Sequence, residues 1–308
     1  MPLDPHCARV LRMLAAGGEP AQTVVERRAG LEKLAEIATG EPLSLASIKD
    51  IAPSLDRSCP GMRRYDAEGA ASLPPGIVYL HGGGWVAGSL DTHDSVCRAL
   101  AASTGFTVFS VDYRLAPEHP FPTGLQDALA AVRWLRRHGT GLDVDPARLV
   151  LAGDSAGGGL AAAAAAALRD DEGPPLKALL LVCPILDLAQ LRPSRIEFGE
   201  GHFISRAAFA ADVAGYANPD ADLSDPDISP LQASDFTGLP PALIHLAEFD
   251  PFRDEGAAYA DRLKEAGVPV TRTLHSGMIH YFYALPRLIP HASAALAQIG
   301  AELRQAVG

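Results

Sequence analysis

Cysteine is scarce in this chain, which has four among 308 residues. Cys7, Cys59, Cys97 and Cys183 lie far apart, and none forms a C-x-x-C pair or a Cys/His spacing typical of a zinc site. We therefore expect reduced thiols in a cytoplasmic protein.

Basic residues are also few. The chain has 26 Lys and Arg against 37 Asp and Glu, so its formal net charge is −11 at pH 7. No block of Lys and Arg offers a surface for phosphate groups, and nucleic acid is therefore not an expected partner. An anionic membrane surface would repel the chain as well.

Long hydrophobic runs are absent from the sequence. The longest apolar stretch, residues 160–168, is mostly alanine and is too short to span a bilayer. The first six residues lack the basic region and the continuous apolar region of a secretory signal. We therefore expect a soluble protein without a membrane span.

What the sequence does contain is an alternation of extended and helical patterns. Strands that alternate with helices predict an α/β fold with a mostly parallel sheet covered on both faces. Most of the strand runs are continuously apolar, as burial on both sides requires. The predicted strands are residues 77–80, 106–111, 149–152, 178–182, 242–246 and 270–274. The predicted helices are residues 93–102, 124–137, 156–169, 255–266 and 290–306.

Two parts of the chain depart from this alternation. The N-terminal part reads as two helices separated by a break at residues 17–20. The fourth and fifth predicted strands are separated by 59 residues, which is too many for a simple crossover. We expect the long interval to fold over the carboxyl edge of the sheet. The predicted organisation is a helical cap segment at 1–45, a core at 46–190 and 235–308, and a cap insertion at 191–234.

The strongest chemical signal is Gly-Asp-Ser-Ala-Gly at residues 153–157, between a predicted strand and a predicted helix. G-x-S-x-G in this setting is typical of the nucleophile elbow of α/β-hydrolases, a sharp turn that raises the serine above the sheet. Ser155 is therefore a candidate nucleophile. The alternative is that Ser155 is only the N-cap of the alanine-rich helix.

A second signal is His-Gly-Gly-Gly-Trp at residues 81–85, directly after another predicted strand. Consecutive glycines let the backbone approach a tetrahedral oxyanion closely, and H-G-G-G supplies such N–H groups in lipases and esterases. The N–H group of Ala156 would be the remaining donor. A flexible turn or a phosphate loop is the alternative, although the run lacks the spacing and the lysine of a phosphate loop.

A catalytic acid should come next, because α/β-hydrolases carry Ser, then Asp or Glu, then His along the chain. Asp250 follows a predicted strand by a short loop and so lies at the same sheet edge as Ser155. However, Asp250 and Pro251 also resemble an N-cap followed by the first residue of a helix. The other candidate acids are Asp187, Glu248, Asp254 and Glu255.

The base should be a histidine near the end of the chain. His280 lies in a predicted loop after the last predicted strand, and His275, at the end of that strand, is the rival. His245 lies inside an apolar strand, which favours a structural role. The remaining candidates are His202 and His291.

Five blocks of the sequence together resemble the hormone-sensitive lipase family of α/β-hydrolases, in its bacterial esterase branch. They are residues 81–85, 112–122, 153–158, 248–256 and 277–280, and they occur in the order of the family. The resemblance covers about residues 48–308, and the helical N-terminus is similar to the family's cap. It implies an α/β-hydrolase fold with a helical cap.

The resemblance also implies roles for individual residues. Ser155 would be the nucleophile, Asp250 the acid and His280 the base. The block at 112–122 would brace the sheet edge without reacting. The implied oxyanion donors are the N–H groups of Gly82, Gly83 and Ala156.

Three residues depart from the family pattern, and none belongs to the implied triad. Gly159 stands where Asn is common, Cys183 where Tyr is usual, and Tyr281 where Gly is usual. Tyr281 directly follows the implied base, so we expect it to change the pocket rather than the chemistry. We expect the Cys183 thiol to be a small buried apolar group.

These features predict a serine carboxylesterase that hydrolyses short- to medium-chain acyl esters through an acyl-enzyme, without a metal or an organic cofactor. The expected partner is a small-molecule ester, with the chain acting as a monomer or a homodimer. One alternative is an amidase or arylformamidase with the same triad, since the fold does not choose the leaving group. Another is a binding protein of the same fold, which the intact His280 disfavours.

Overall fold

An eight-stranded sheet organises the computed structural model, which describes residues 1–16, 23–55 and 58–308. The strand order across the sheet is β1-β2-β4-β3-β5-β6-β7-β8. Neighbours from β4 to β8 are parallel, and the pairs β1–β2 and β2–β4 are antiparallel. The prediction of a mostly parallel sheet is therefore confirmed. The strands are β1 (Ser47–Ile51), β2 (Gly61–Asp66), β3 (Pro75–Leu80), β4 (Thr107–Asp112), β5 (Asp145–Asp154), β6 (Ala178–Val182), β7 (Ala242–Phe249) and β8 (Val270–Ile279).

Helices cover both faces of the sheet, which is why its inner strands are apolar throughout. Every residue of β3 and of β6 is buried. Helices α3 and α9 pack together on one face, and α4, α5 and α8 cover the other, so that each face has its own hydrophobic core. The helices are α1 (Pro5–Ala16), α2 (Val24–Thr39), α3 (Asp94–Thr104), α4 (Thr123–His138), α5 (Ser155–Arg169), α6 (Pro193–Glu197), α7 (Arg206–Tyr216), α8 (Arg253–Glu265) and α9 (His291–Val307).

The last strand is longer than the sequence predicts. The predicted strand ends at residue 274, because the polar His275 and Ser276 and then Gly277 interrupt the apolar run. In the structure β8 continues through an irregular pairing with β7, and Phe249 pairs with Ile279. His280 therefore follows the strand directly, and His275 lies within it.

The N-terminal helices contact both the core and the predicted insertion. The Asp4 N–H donates to the Gly277 carbonyl near the end of β8, and Arg27 on α2 pairs with Asp212 on α7. The predicted helix break at 17–20 lies outside the described residues. In the described part of the chain, no helix combines the length and the apolar character needed to span a bilayer.

Candidate active site

Ser155 occupies a strained turn between β5 and α5. Its φ of 51° lies in the left-handed region, which side chains other than glycine rarely adopt. The turn is tight because α5 starts close to the end of β3: a Cβ at Gly157 would collide with the carbonyl oxygens of Leu80 and His81. Ser155 is the first residue of the helix and Asp154 is its N-cap residue. The alternative that Ser155 is only an N-cap is therefore wrong.

The three side chains of the predicted triad meet at the carboxyl edge of the sheet. Ser155 Oγ lies 3.0 Å from His280 Nε2, and His280 Nδ1 lies 2.8 Å from Asp250 Oδ2. A carboxylate can only accept, so Nδ1 carries the hydrogen and Nε2 of the neutral ring can accept the Ser155 proton. All three residues are almost completely buried.

The alternative role of Asp250 as a helix N-cap is not observed. Helix α8 begins at Arg253 and its N-cap residue is Phe252. Asp250 Oδ1 instead accepts the backbone N–H of Phe252 at 2.7 Å. This bond fixes the carboxylate so that its other oxygen faces His280.

The rival histidines belong to a separate cluster. His275 Nε2 lies 3.0 Å from His245 Nδ1, and His275 Nδ1 lies 3.0 Å from His291 Nε2. His245 Nε2 in turn lies 3.0 Å from a carboxylate oxygen of Glu302 on α9. His275 therefore connects β7, β8 and α9.

The remaining candidates also have partners away from the triad. His202 Nδ1 bonds to the carbonyl of Glu200. The acids form ion pairs: Asp187 with Arg192, Glu248 with the N-terminal ammonium group, Asp254 with Arg253, and Glu255 with Arg195.

The structure corrects one of the predicted oxyanion donors. The N–H group of Gly82 donates to Asp154 Oδ1 at 3.0 Å, so it is not free for a substrate and its assignment is wrong. The N–H groups of Gly83, Gly84 and Ala156 donate to no other described residue. The backbone donors of the glycine loop and the elbow that remain free for a substrate are therefore Gly83, Gly84 and Ala156.

Asp154 anchors the glycine loop and was not singled out from the sequence. Its carboxylate accepts the hydroxyl groups of Tyr79 and Tyr283, each at 2.6 Å, in addition to the Gly82 N–H, and lies 3.3 Å from His93 Nε2. Burial opposes its ionisation, but these contacts outweigh burial and lower the pKa of Asp154 to about 2. The position of Asp154 beside the nucleophile was the signal that could have identified it.

Cys183 is buried against the triad, as expected for a small apolar group. Its Sγ, one Asp250 oxygen and one His280 nitrogen lie within 4.8 Å of one another. Burial, together with the Asp250 carboxylate, raises the pKa of the Cys183 thiol well above its usual value. The thiol therefore stays protonated and is no second nucleophile.

A cavity of about 280 Å³ lies next to Phe252, a neighbour of the base. Phe252 lines it, and the Phe252 ring lies 5.2 Å from the His280 ring, so one aromatic side chain separates cavity and base. Side chains from the predicted insertion make up most of the wall. The apolar lining residues are Leu188, Ala189, Leu191, Ile204, Phe209, Pro251 and Phe252.

Two buried histidines resist protonation. Burial, together with the neighbouring His93, lowers the pKa of His81 to about 4. Burial, together with His245 and His291, lowers the pKa of His275 to about 3. A histidine in the unfolded chain has a pKa of about 6.5. The contribution of each buried histidine to the free energy of unfolding is therefore fully present above that pH, and it is lost as the pH falls towards the pKa of the histidine in the folded protein.

We expect His275→Gln to make the stability less dependent on pH. The wild-type protein should lose about 2 kcal/mol through His275 between about pH 7 and pH 5, and the variant should lack this loss. Burial raises the pKa of Glu255 to about 7, so Glu255 makes the protein more stable as the pH falls. This effect opposes that of His275 but is the same in the wild-type protein and the variant. Urea unfolding at both pH values measures the difference, and equal losses would contradict the expectation.

Comparison with known proteins agrees with this architecture. Residues 77–284 match the family described as alpha/beta hydrolase fold. The chain is 43% identical over 237 residues to carboxylesterase NlhH of Mycobacterium tuberculosis, covering 76% of this chain and 74% of that protein. It is 35% identical over 318 aligned positions to ethyl acetate hydrolase of Pseudomonas putida, covering 99% of each. The structure of an esterase from Pyrobaculum calidifontis matches with a TM-score of 0.92 at 36% identity, over 100% of both chains.

Proposed function

Since the chain belongs to the hormone-sensitive lipase family of α/β-hydrolases, in its bacterial esterase branch, it is a carboxylic ester hydrolase, and we propose that it works through an acyl-enzyme on Ser155. The observation that carries the proposal is the continuous contact from Asp250 through His280 to Ser155 Oγ. It is the arrangement that activates a serine nucleophile.

In the first half of the reaction Ser155 Oγ attacks the ester carbonyl carbon while His280 Nε2 takes its proton. Asp250 holds the ring through Nδ1 and stabilises the imidazolium that forms. The N–H groups of Gly83, Gly84 and Ala156 hold the oxyanion. Collapse of the tetrahedral intermediate passes the proton from His280 to the leaving alcohol and leaves the acyl group on Ser155.

The second half repeats these steps with water. His280 Nε2 takes a proton from the water, whose oxygen attacks the acyl carbon in the same oxyanion site. Collapse returns the proton to Ser155 Oγ and releases the carboxylic acid. Every proton transfer in both halves of the reaction goes through His280 Nε2.

We infer the substrate range from the cavity that Phe252 separates from His280. Its apolar lining favours a short- to medium-chain acyl group, because the free energy of burial grows with each methylene until the cavity is full. Residues 1–45 and 191–234 act as the cap in this proposal, and the second of these segments supplies most of the lining. The four described cysteines are free, which supports a cytoplasmic location.

A panel of 4-nitrophenyl esters tests this proposal. We expect kcat/KM to rise from the acetate to the butyrate and octanoate and to fall for the palmitate. Phe209→Ala enlarges the cavity and should shift the preference towards longer chains, whereas Leu274→Ala, on the exposed part of β8, should not. A preference that is flat, or unchanged by Phe209→Ala, would contradict the assignment of the cavity.

The leaving group needs a separate comparison. An ester and an anilide with the same acyl group should differ strongly in kcat/KM, with the ester faster. Faster cleavage of the anilide would favour the amidase alternative.

A further inference from the structure

An ion pair joins the N-terminal helix to the predicted insertion beside the glycine loop. Arg27 on α2 donates from Nη2 to Asp212 Oδ2 at 2.6 Å and from Nε to Asp212 Oδ1 at 3.2 Å. Each carboxylate oxygen therefore accepts one guanidinium N–H group. The Asp212 side chain is 6% exposed and that of Arg27 is 28% exposed, so the carboxylate is the buried partner.

The Asp212 carboxylate lies directly against Gly84. A Cβ at position 84 would collide with this carboxylate, and the φ of 65° at Gly84 also favours glycine. Gly84 carries one of the three free N–H groups that hold the oxyanion in the proposed mechanism. A buried acid is therefore next to the place where negative charge forms during ester hydrolysis.

An unpaired carboxylate at this position would harm the reaction. Its negative charge would repel the oxyanion, and this repulsion is strong where water is excluded. Arg27 prevents this effect, because its guanidinium group balances the charge and binds both carboxylate oxygens.

We propose that Arg27 is a positioning residue for ester hydrolysis, acting through Asp212 on the oxyanion-binding loop. The inference rests on the proposed acyl-enzyme mechanism. It gives the N-terminal helix a part in the chemical step, beyond the enclosure of a substrate.

The neighbouring residue keeps the helix docked when Arg27 is changed. Arg28 donates from Nε to the Val86 carbonyl at 2.8 Å and from Nη2 to the Ala116 carbonyl at 3.1 Å, and it pairs with Glu118. These contacts do not involve Asp212. Replacement of Arg27 therefore removes the positive charge that balances Asp212 but leaves the Arg28 contacts that hold α2 in place.

A double-mutant cycle at these two positions tests the proposal. Arg27→Met should lower kcat for 4-nitrophenyl butyrate by roughly 10- to 100-fold with little change in KM, because the unbalanced charge acts on the transition state. Adding Asp212→Asn to Arg27→Met should recover most of the loss. Arg12→Met, which removes an exposed positive charge from the same N-terminal region, should leave kcat unchanged.

Labelling of Ser155 by a fluorophosphonate separates this inference from the proposed mechanism. The labelling step also develops an oxyanion, so Arg27→Met should slow it and the double variant should restore it. Absence of labelling in the wild-type protein would contradict the mechanism itself. Labelling of Ser155 at the wild-type rate in Arg27→Met would overturn only the inference.

Three further outcomes would also overturn the inference: an unchanged kcat in Arg27→Met, a loss confined to KM, and a loss that persists in the double variant. If Arg27→Met does not fold, Arg27→Lys replaces it in the cycle. Lysine keeps the charge but holds fewer carboxylate oxygens, so a smaller loss of kcat, again recovered with Asp212→Asn, is expected.

Discussion

Ser155→Ala should lower kcat for ester hydrolysis by about 10⁶-fold, the size of loss seen when the nucleophile of a serine protease is removed. The variant keeps the oxyanion donors and the cavity but has no oxygen that can form the acyl-enzyme. Its fold should be intact, because the hydroxyl group bonds to His280 and to no other described residue. Steady-state kinetics and the melting temperature measure the two effects.

A buried serine outside the site provides the matched control. Ser110 lies in β4 and is as buried as Ser155, so Ser110→Ala should retain turnover. A fluorophosphonate should label the wild-type protein at Ser155, as located by mass spectrometry of the peptides. Substantial turnover in Ser155→Ala, or labelling of another serine, would remove Ser155 from its role.

Asp250→Asn should lower kcat by about 10⁴-fold while the protein still folds, as for the equivalent change in a serine protease. An amide at this position can donate a hydrogen bond to Nδ1, which favours the imidazole tautomer with its hydrogen on Nε2. That nitrogen could then no longer accept the proton of Ser155. Asn can still accept the Phe252 N–H, so the local turn should survive.

Asp254 provides the comparison for this variant. It was a candidate acid, and in the structure it pairs with Arg253 and accepts the Ser194 N–H. Asp254→Asn should therefore leave kcat near the wild-type value. Near-normal turnover in Asp250→Asn would return that residue to a purely structural role.

The order of secondary-structure elements and the elbow could be read from local sequence. Strand β6 is recognisable from its run of consecutive apolar residues, and the elbow from the pentapeptide around Ser155. Both features are formed by residues that are neighbours along the chain. Local patterns left both His275 and His280 as candidate bases, because both follow the same apolar run, and among sequence features only the family resemblance favoured His280. The structure places His280 Nε2 3.0 Å from Ser155 Oγ and places His275 in the separate histidine cluster.

Contacts over long sequence separations could not be predicted in this way. Gly82 and Gly84 are indistinguishable in a run of three glycines, and what separates them is which carboxylate each one meets. Asp154 takes the N–H group of Gly82, and Asp212 packs on Gly84. The Arg27–Asp212 pair joins residues 185 positions apart, and no periodicity or motif encodes such a separation.

In the histidine cluster between β7, β8 and α9, all hydrogen bonds are donated in the same direction, towards Glu302. Glu302 can only accept, so His245 must carry its hydrogen on Nε2 and accept at Nδ1 from His275 Nε2. His275 then accepts at Nδ1 from His291 Nε2. His291 is exposed, and its Nδ1 has no partner within the cluster. All three rings therefore carry their hydrogen on Nε2, and moving that hydrogen to Nδ1 in any one ring would break a hydrogen bond of the cluster.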